Sequence, residues 1–126
     1  MILIFGGAYQ GKLAYALERF CLSEADIYRC DEESDRLPEG KKLIYEIDRW
    51  ILALLKANAN VEGEMFRFIE NSADAVVICN DISCGVVPID AVMRKWREAV
   101  GRSLAMLSKT SDEVVRLFCG IPTRIN

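Results

Sequence analysis

Apolar runs alternate with amphipathic segments along this chain, and the alternation predicts strands and helices in turn. Two runs are apolar at every position, Met1–Phe5 and Ala75–Cys79, which is typical of strands buried on both faces of a parallel sheet. Further strands are predicted at Asp26–Cys30, Leu43–Ile47 and Glu113–Cys119. The chain therefore carries five predicted strands separated by segments of a different periodicity.

Four of the separating segments repeat their apolar residues at helical spacing. They predict helices at 11–21, 48–58, 62–72 and 88–107, with Pro88 at the start of the last. The stripe of the third helix is Met65, Phe66 and Ile69, and that of the fourth is Ile89, Val92, Met93, Trp96, Val100, Leu104 and Leu107. Residues 31–42 are predicted to form an exposed loop, and 120–126 a tail. The alternation predicts an α/β fold in one domain, 1–126, with a mostly parallel β-sheet and helices on both faces.

Composition narrows the class of protein. The chain has 126 residues, is 52% hydrophobic and carries a net charge of −3, which favours a folded domain and argues against nucleic-acid binding. It contains no histidine, so histidine-based acid–base, phosphotransfer or metal chemistry is excluded. No apolar run reaches the roughly 20 residues of a membrane span. The five cysteines form no CxxC pair, and those beside apolar runs, Cys21, Cys79 and Cys119, are expected to be buried, reduced thiols of a cytoplasmic protein.

The segment after the first strand has the pattern GxxxxGK of a phosphate-binding loop. Its residues are Gly6, Gly7, Ala8, Tyr9, Gln10, Gly11, Lys12 and Leu13. Strand, glycine loop and helix follow one another as such a P-loop requires, so backbone N–H groups and the helix N-terminus are predicted to bind the phosphates of ATP or GTP. Lys12 would reach the terminal phosphates, but Leu13 stands where a hydroxyl normally holds Mg²⁺. The alternative is a tight glycine turn with Lys12 directed to solvent.

Acidic residues follow two other predicted strands and are candidates for holding the metal. Ligands bind beyond the carboxyl ends of parallel strands, where the sequence places Glu46, Asp48 and Asp81. Asp81 fits best as the Mg²⁺ ligand and catalytic partner of Lys12, with a turn carboxylate as its alternative. Asp48 lies where a helix N-cap is expected, and Glu46 fits either role, metal ligand or cap.

A basic group lies on the last predicted helix. It consists of Arg94, Lys95, Arg97 and Arg102. These side chains could meet phosphates or an anionic substrate, or they could form the solvated face opposite Trp96.

These motifs together resemble a known family, the bifunctional adenosylcobinamide kinase/adenosylcobinamide-phosphate guanylyltransferases of cobalamin biosynthesis. Gly6–Leu13 resembles that family's GGARSGKS loop, and Asn80-Asp81 with Gly85–Pro88 resembles its NE-x-G-x-G-(I/V)-VP segment. Residues 94–102 resemble its R-x-(F/W)-R-D-x-x-G-R stretch, and Asp112–Pro122 its ADEV…GIP ending. The resemblance implies a P-loop nucleotide-binding fold, a cobinamide-like second substrate and a homo-oligomer.

Departures from the family pattern qualify this expectation. The family carries a long segment with the histidine that accepts GMP from GTP, whereas this chain has the short stretch 31–42 and no histidine. Leu13 replaces the family's serine. The resemblance then implies retained ATP or GTP binding, lost guanylyl transfer, weakly held Mg²⁺ and weak or absent kinase activity. A catalytically inactive binding, regulatory or assembly protein of the same fold is the alternative.

Overall fold

The computed structural model describes residues 1–82 and 90–126. Six strands are seen in these residues: β1 (Ile2–Gly6), β2 (Ile27–Arg29), β3 (Leu43–Tyr45), β4 (Val76–Asn80), β5 (Glu113–Phe118) and β6 (Ile121–Arg124). The α-helices are α1 (Lys12–Arg19), α2 (Ile47–Lys56), α3 (Val61–Asn71) and α4 (Ala91–Thr110), and a single 3₁₀ turn spans Glu24–Asp26. All five predicted strands and all four predicted helices are therefore present, although the predicted helix start at Pro88 lies outside the described residues.

The strands form one sheet in the order β2-β3-β4-β1-β5-β6. β1 lies in the middle and pairs in parallel with both β4 and β5, and the β2–β3 and β3–β4 pairs are parallel too. Among the pairs of described strands, only β5–β6 is antiparallel. The predicted α/β architecture with a mostly parallel sheet is confirmed, and it is consistent with a P-loop-type domain. In the described residues, no helix is long and apolar enough to cross a membrane.

Helices cover both faces of the sheet, as the sequence predicted. Successive residues of a strand point to opposite faces, so Leu3 packs in a core with α2, α3 and α4, while Ile4 packs in a second core with α1. The larger core is centred on Trp50 and Phe68, whose rings lie 5.7 Å apart and are tilted by 51°. Because both faces are covered, the strands can be apolar at every position, as β1 and β4 are.

The predicted tail at 120–126 is wrong, because most of it forms β6. Cys119 and Gly120 have φ angles of 51° and 75°, and positive φ at both central residues is the requirement of a two-residue type I′ hairpin turn. Phe118 pairs with Ile121 across that turn. Pro122 is compatible with β6, since β6 is an edge strand that need not donate every ladder hydrogen bond.

Two helical stripes differ from the prediction in part. On α3, Met65 and Phe68 are buried and Phe66 is 57% exposed, because positions three apart share a helix face and adjacent positions do not. On α4, Val100 and Leu107 are buried, whereas Val92 and Met93 in the first turn are exposed. Trp96 is the first residue of that helix to pack against the core, and Ile89 lies outside the described residues.

The cysteines also depart from the expectation. Cys79 is buried as predicted, and so is Cys30, but Cys21 and Cys119 are exposed. Both exposed cysteines occupy turns and have positive φ angles of 53° and 51°, so their side chains leave the apolar runs that precede them. Cys84 lies outside the described residues.

Candidate functional site

The glycine loop connects β1 to α1 at the carboxyl edge of the sheet. A Cβ atom at Gly6 would collide with the carbonyl oxygen of Leu117 on β5, so only glycine allows the two strands their close approach. Gly11 precedes α1 with a φ angle of 87°, a left-handed conformation that side chains disfavour. Two glycines of the GxxxxGK pattern are thus required by the backbone itself.

Lys12 is the first residue of α1 and is buried, with 5% of its surface exposed. Its Nζ donates a hydrogen bond of 2.6 Å to the carbonyl oxygen of Gly7, so the side chain folds back over the loop. The alternative of a lysine directed to solvent is therefore wrong. Burial lowers the pKa of Lys12, and the nearby carboxylate of Asp48 opposes that shift. The loop therefore folds around the Lys12 side chain instead of leaving it in solvent.

Asn80, the last residue of β4, connects the acidic residues that follow β3. Its backbone N–H donates to Asp48 Oδ1 at 3.0 Å, and its Nδ2 donates to Glu46 Oε2 at 3.0 Å and to Asp48 Oδ2 at 3.3 Å. The sequence placed these residues at one edge of the sheet, and the structure brings them into direct contact.

Asp81 is joined to the glycine loop through the main chain. Its backbone N–H donates a hydrogen bond of 2.8 Å to the carbonyl oxygen of Gly6. The residues proposed to flank the phosphates, Lys12 and Asp81, therefore follow neighbouring strands and open onto the same edge.

Asp48 is not a helix N-cap. The N-cap of α2 is Glu46, in a left-handed conformation with φ 59° and without a side-chain capping bond. Asp48 lies inside the first turn and is 2% exposed, and its carbonyl oxygen accepts a hydrogen bond of 2.7 Å from Trp96 Nε1. Burial raises the pKa of Asp48, and the hydrogen bonds from Asn80 oppose the rise. Its carboxylate is occupied in holding β4 to α2.

Two clefts lie beside the glycine loop. The first, of about 410 Å³, is enclosed by the loop and the end of β3: Ala8, Tyr9, Gln10, Gly11, Lys12, Leu13, Ala14, Tyr45, Glu46, Arg49 and Asn80. The second, of about 570 Å³, lies on the α2–α4 side: Gly7, Ala8, Glu32, Asp48, Arg49, Asn80, Asp81, Ile82 and Trp96. The two clefts share Ala8, Arg49 and Asn80 as a common wall. The eight residues predicted to bind nucleotide, 6–13, run from the end of β1 into α1, and seven of them line one or both clefts.

Oxygen ligands for a metal are few at this edge. The carboxylates of Asp81 and Glu46 are of the type that Mg²⁺ prefers, and Glu46 Oε2 is engaged by Asn80 and, at 3.4 Å, by Arg49 Nε. Leu13 packs its partly buried side chain on the core beside α1 and provides no oxygen. Within 1–82 and 90–126, no three acidic, cysteine or histidine side chains are grouped closely enough to hold a metal. With the described residues as its protein ligands, Mg²⁺ would thus need phosphate and water oxygens to complete its shell.

The sequence analysis placed Gln10 among the nucleotide-binding residues but did not predict what its side chain contacts, and it did not single out Arg49. Gln10 fastens the loop to the β5–β6 turn, since its Oε1 accepts from Cys119 N–H and its carbonyl oxygen accepts from Gly120 N–H at 3.2 Å. Arg49 lines both clefts. A polar residue inside a glycine loop is a signal for the first, but the second has no signal in the sequence because Arg49 reads as an ordinary exposed helix residue.

The basic group of α4 does not join the two clefts as one unit. Arg102 is exposed and lies 3.9 Å from Glu98 one turn before it, and it lines a different, smaller cleft with Val61 and Glu62 of α3. Neither Arg94 nor Arg97 is among the residues that line the two clefts beside the loop. Arg102 therefore fits the alternative of a solvated helix face better than that of a contact to phosphates or an anionic substrate.

Comparison with known proteins adds to this geometry. No curated protein matches the chain. A family model described as cobinamide kinase / cobinamide phosphate guanyltransferase matches residues 32–125. The match includes β3, β4, α4 and β5 with the acidic edge, and the glycine loop precedes it. The match spans most of the sequence, and the chain therefore belongs to the cobinamide kinase / cobinamide phosphate guanyltransferase family.

Proposed function

We propose that this chain binds ATP or GTP at the glycine loop and is a kinase-like member of its family that has lost guanylyl transfer. The observation that carries the proposal is the buried Lys12. Its ammonium group donates a hydrogen bond to the Gly7 carbonyl oxygen inside a strand–loop–helix unit. Family membership supports a role in cobalamin biosynthesis with a cobinamide-like acceptor. Absence of histidine from the sequence supports the loss of guanylyl transfer.

Phosphate binding would replace a contact that already exists. Lys12 Nζ would exchange the Gly7 carbonyl for phosphate oxygens, while backbone N–H groups of the loop and the N-terminus of α1 bind the remaining oxygens. In a phosphoryl transfer, Lys12 would stabilise the charge on the migrating group. Asp81 and Glu46 would hold Mg²⁺, which when bound neutralises charge between the outer phosphates.

Leu13 supports the second candidate, a binding protein with weak or no catalysis. A P-loop normally fixes Mg²⁺ with a hydroxyl after the lysine, and Leu13 instead packs against the core. Losing one metal anchor lowers the rate more than the affinity, because the ion acts chiefly on the transition state. We therefore expect measurable nucleotide binding with little Mg²⁺ dependence, and slow or absent turnover.

Isothermal titration with ATP and GTP, each with and without Mg²⁺, tests nucleotide binding. Lys12→Ala should weaken triphosphate binding by about 1–3 kcal/mol, the scale of a charge-assisted hydrogen bond. Lys41→Ala is the matched control, because Lys41 also donates to a backbone carbonyl, that of Ala25, at 3.0 Å, but lines neither cleft beside the loop. Equal affinities of wild type and Lys12→Ala would remove the proposal. An assay with ATP and cobinamide then separates the kinase from the inactive binding protein.

A further inference from the structure

We infer that Arg49 is a second phosphate-binding cation, which pairs with Glu46 when no nucleotide is bound and moves to the outermost phosphate when a triphosphate binds. The inference rests on the proposed function. It starts from the position of Arg49 on the wall common to the two clefts, together with Ala8 of the glycine loop and Asn80. Arg49 therefore borders both of the clefts that residues of the glycine loop line.

The charge of the two clefts shows why a second cation is needed. Among the described residues that line them, the cations are Lys12 and Arg49, whereas the anions are Glu32, Glu46, Asp48 and Asp81. A triphosphate would add several negative charges to this set. Because Leu13 weakens the grip on Mg²⁺, the ion compensates less of that charge, and a guanidinium that can bind phosphate in a bidentate manner is the group suited to do so.

Arg49 is free to make the transfer. It lies in the first turn of α2, its side chain is 51% exposed, and its ion pair with Glu46 is 3.4 Å long between Nε and Oε2. The Glu46 side chain is 20% exposed. An ion pair that is still open to solvent and joins residues three positions apart contributes little to stability, so breaking this one costs little. Glu46 keeps its hydrogen bond of 3.0 Å from Asn80 Nδ2 when Arg49 leaves.

Glu46 therefore competes with phosphate for Arg49, so the loss of this acidic residue should raise the ATP affinity instead of lowering it. In the absence of Mg²⁺, Glu46→Gln should strengthen ATP binding, because it releases Arg49 and removes a negative charge from the cleft. In the Arg49→Ala background, Glu46→Gln should strengthen ATP binding less, since it then only removes a negative charge from the cleft. A merely structural Arg49 would show equal effects of Glu46→Gln in both backgrounds.

The experiment is titration of ATP and ADP into the full chain without Mg²⁺. Arg49→Ala should weaken ATP binding about ten- to hundredfold. It should weaken ADP binding less, because the contact is to the third phosphate of ATP, which ADP lacks. Arg49→Lys should retain part of the ATP affinity. Arg67→Ala is the matched control: Arg67 forms an ion pair at the same spacing with Glu64, at 3.2 Å on α3, and lines neither cleft beside the loop. Circular dichroism of each variant confirms folding.

The outcomes separate this inference from the proposed function. ATP affinity that is lost in Lys12→Ala and unchanged in Arg49→Ala would overturn the role of Arg49 and leave nucleotide binding standing. An equal loss of ATP and ADP affinity in Arg49→Ala would also overturn it, since the outermost phosphate would not be the partner. A wild-type chain that binds neither nucleotide would overturn both.

Discussion

The carbonyl oxygen of Gly6 accepts a hydrogen bond of 2.8 Å from the backbone N–H of Asp81. The first residue of the glycine loop and the residue whose carboxylate is proposed to hold Mg²⁺ are thus joined through the main chain. Because β1 and β4 are parallel neighbours with Gly6 opposite Asn80, this bond continues the ladder by one residue. This hydrogen bond does not involve the Asp81 side chain and should therefore persist when that side chain is substituted.

Leu13→Ser tests whether the missing hydroxyl after Lys12 is what weakens Mg²⁺ binding at the glycine loop. The serine hydroxyl would restore an oxygen after Lys12, and ATP affinity in Mg²⁺ should rise on the order of tenfold, while affinity without Mg²⁺ stays the same. Titration in both conditions measures the change. Leu17→Ser on the same helix also removes a partly buried leucine and controls for lost packing. Ordinary kinase rates in the wild type would contradict the idea of a weakened site.

No covalent guanylyl-protein should form with GTP. The sequence contains no histidine to accept the group, and both buried cysteines described, Cys30 and Cys79, have pKa values raised by burial, so neither thiol is a ready nucleophile. Intact-mass analysis after incubation with GTP and Mg²⁺ is the measurement. An adduct of the mass of GMP would show that another side chain has taken over.

Two glycine substitutions should change stability in opposite directions. Gly6→Ala places a Cβ atom against the Leu117 carbonyl, and a backbone clash of this kind should lower the free energy of unfolding by about 2 kcal/mol or more. Gly101→Ala on α4 meets no atom within 4 Å and should raise it by about 1 kcal/mol, the helix propensity difference. Urea denaturation measures both. A neutral Gly6→Ala would mean that β5 can move away from β1.

The ion pair between Arg19 and Glu113 should give stability a dependence on pH. Arg19 binds both carboxylate oxygens of Glu113, and this hydrogen bonding lowers the pKa of Glu113. Since the folded pKa lies below the unfolded one, the contribution is present above the ordinary carboxyl pKa of about 4.3 and is lost as the pH falls through the folded pKa.

Glu113→Gln should therefore destabilise the protein by roughly 0.5–1 kcal/mol at pH 7, the range for a partly exposed pair. Urea denaturation at pH 7 and at pH 3 compares the variant with the wild type. The difference should be smaller at pH 3 than at pH 7, because the wild-type carboxylate begins to take up its proton as the pH falls towards the folded pKa. A difference that is the same at both pH values would assign the effect to packing.

Much of the fold could be predicted because its signals are local. Unbroken apolar runs identified β1 and β4, and the GxxxxGK spacing identified the turn between β1 and α1, since a buried strand and a left-handed glycine each follow from a few consecutive residues. The sequence also placed Glu46, Asp48 and Asp81 at one edge, because parallel strands end together.

Other features were decided only by contacts between distant segments. Asp48 holds the end of β4 instead of capping α2, since its partner Asn80 is 32 positions away and is fixed by the pairing of β3 with β4. β6 exists because β5 offers an open edge to a turn whose residues accept positive φ. Arg49 comes to line the clefts beside the glycine loop only because α2 packs on the sheet. Local periodicity decides which face of an element is apolar, but the partner of a polar side chain depends on which element becomes its neighbour.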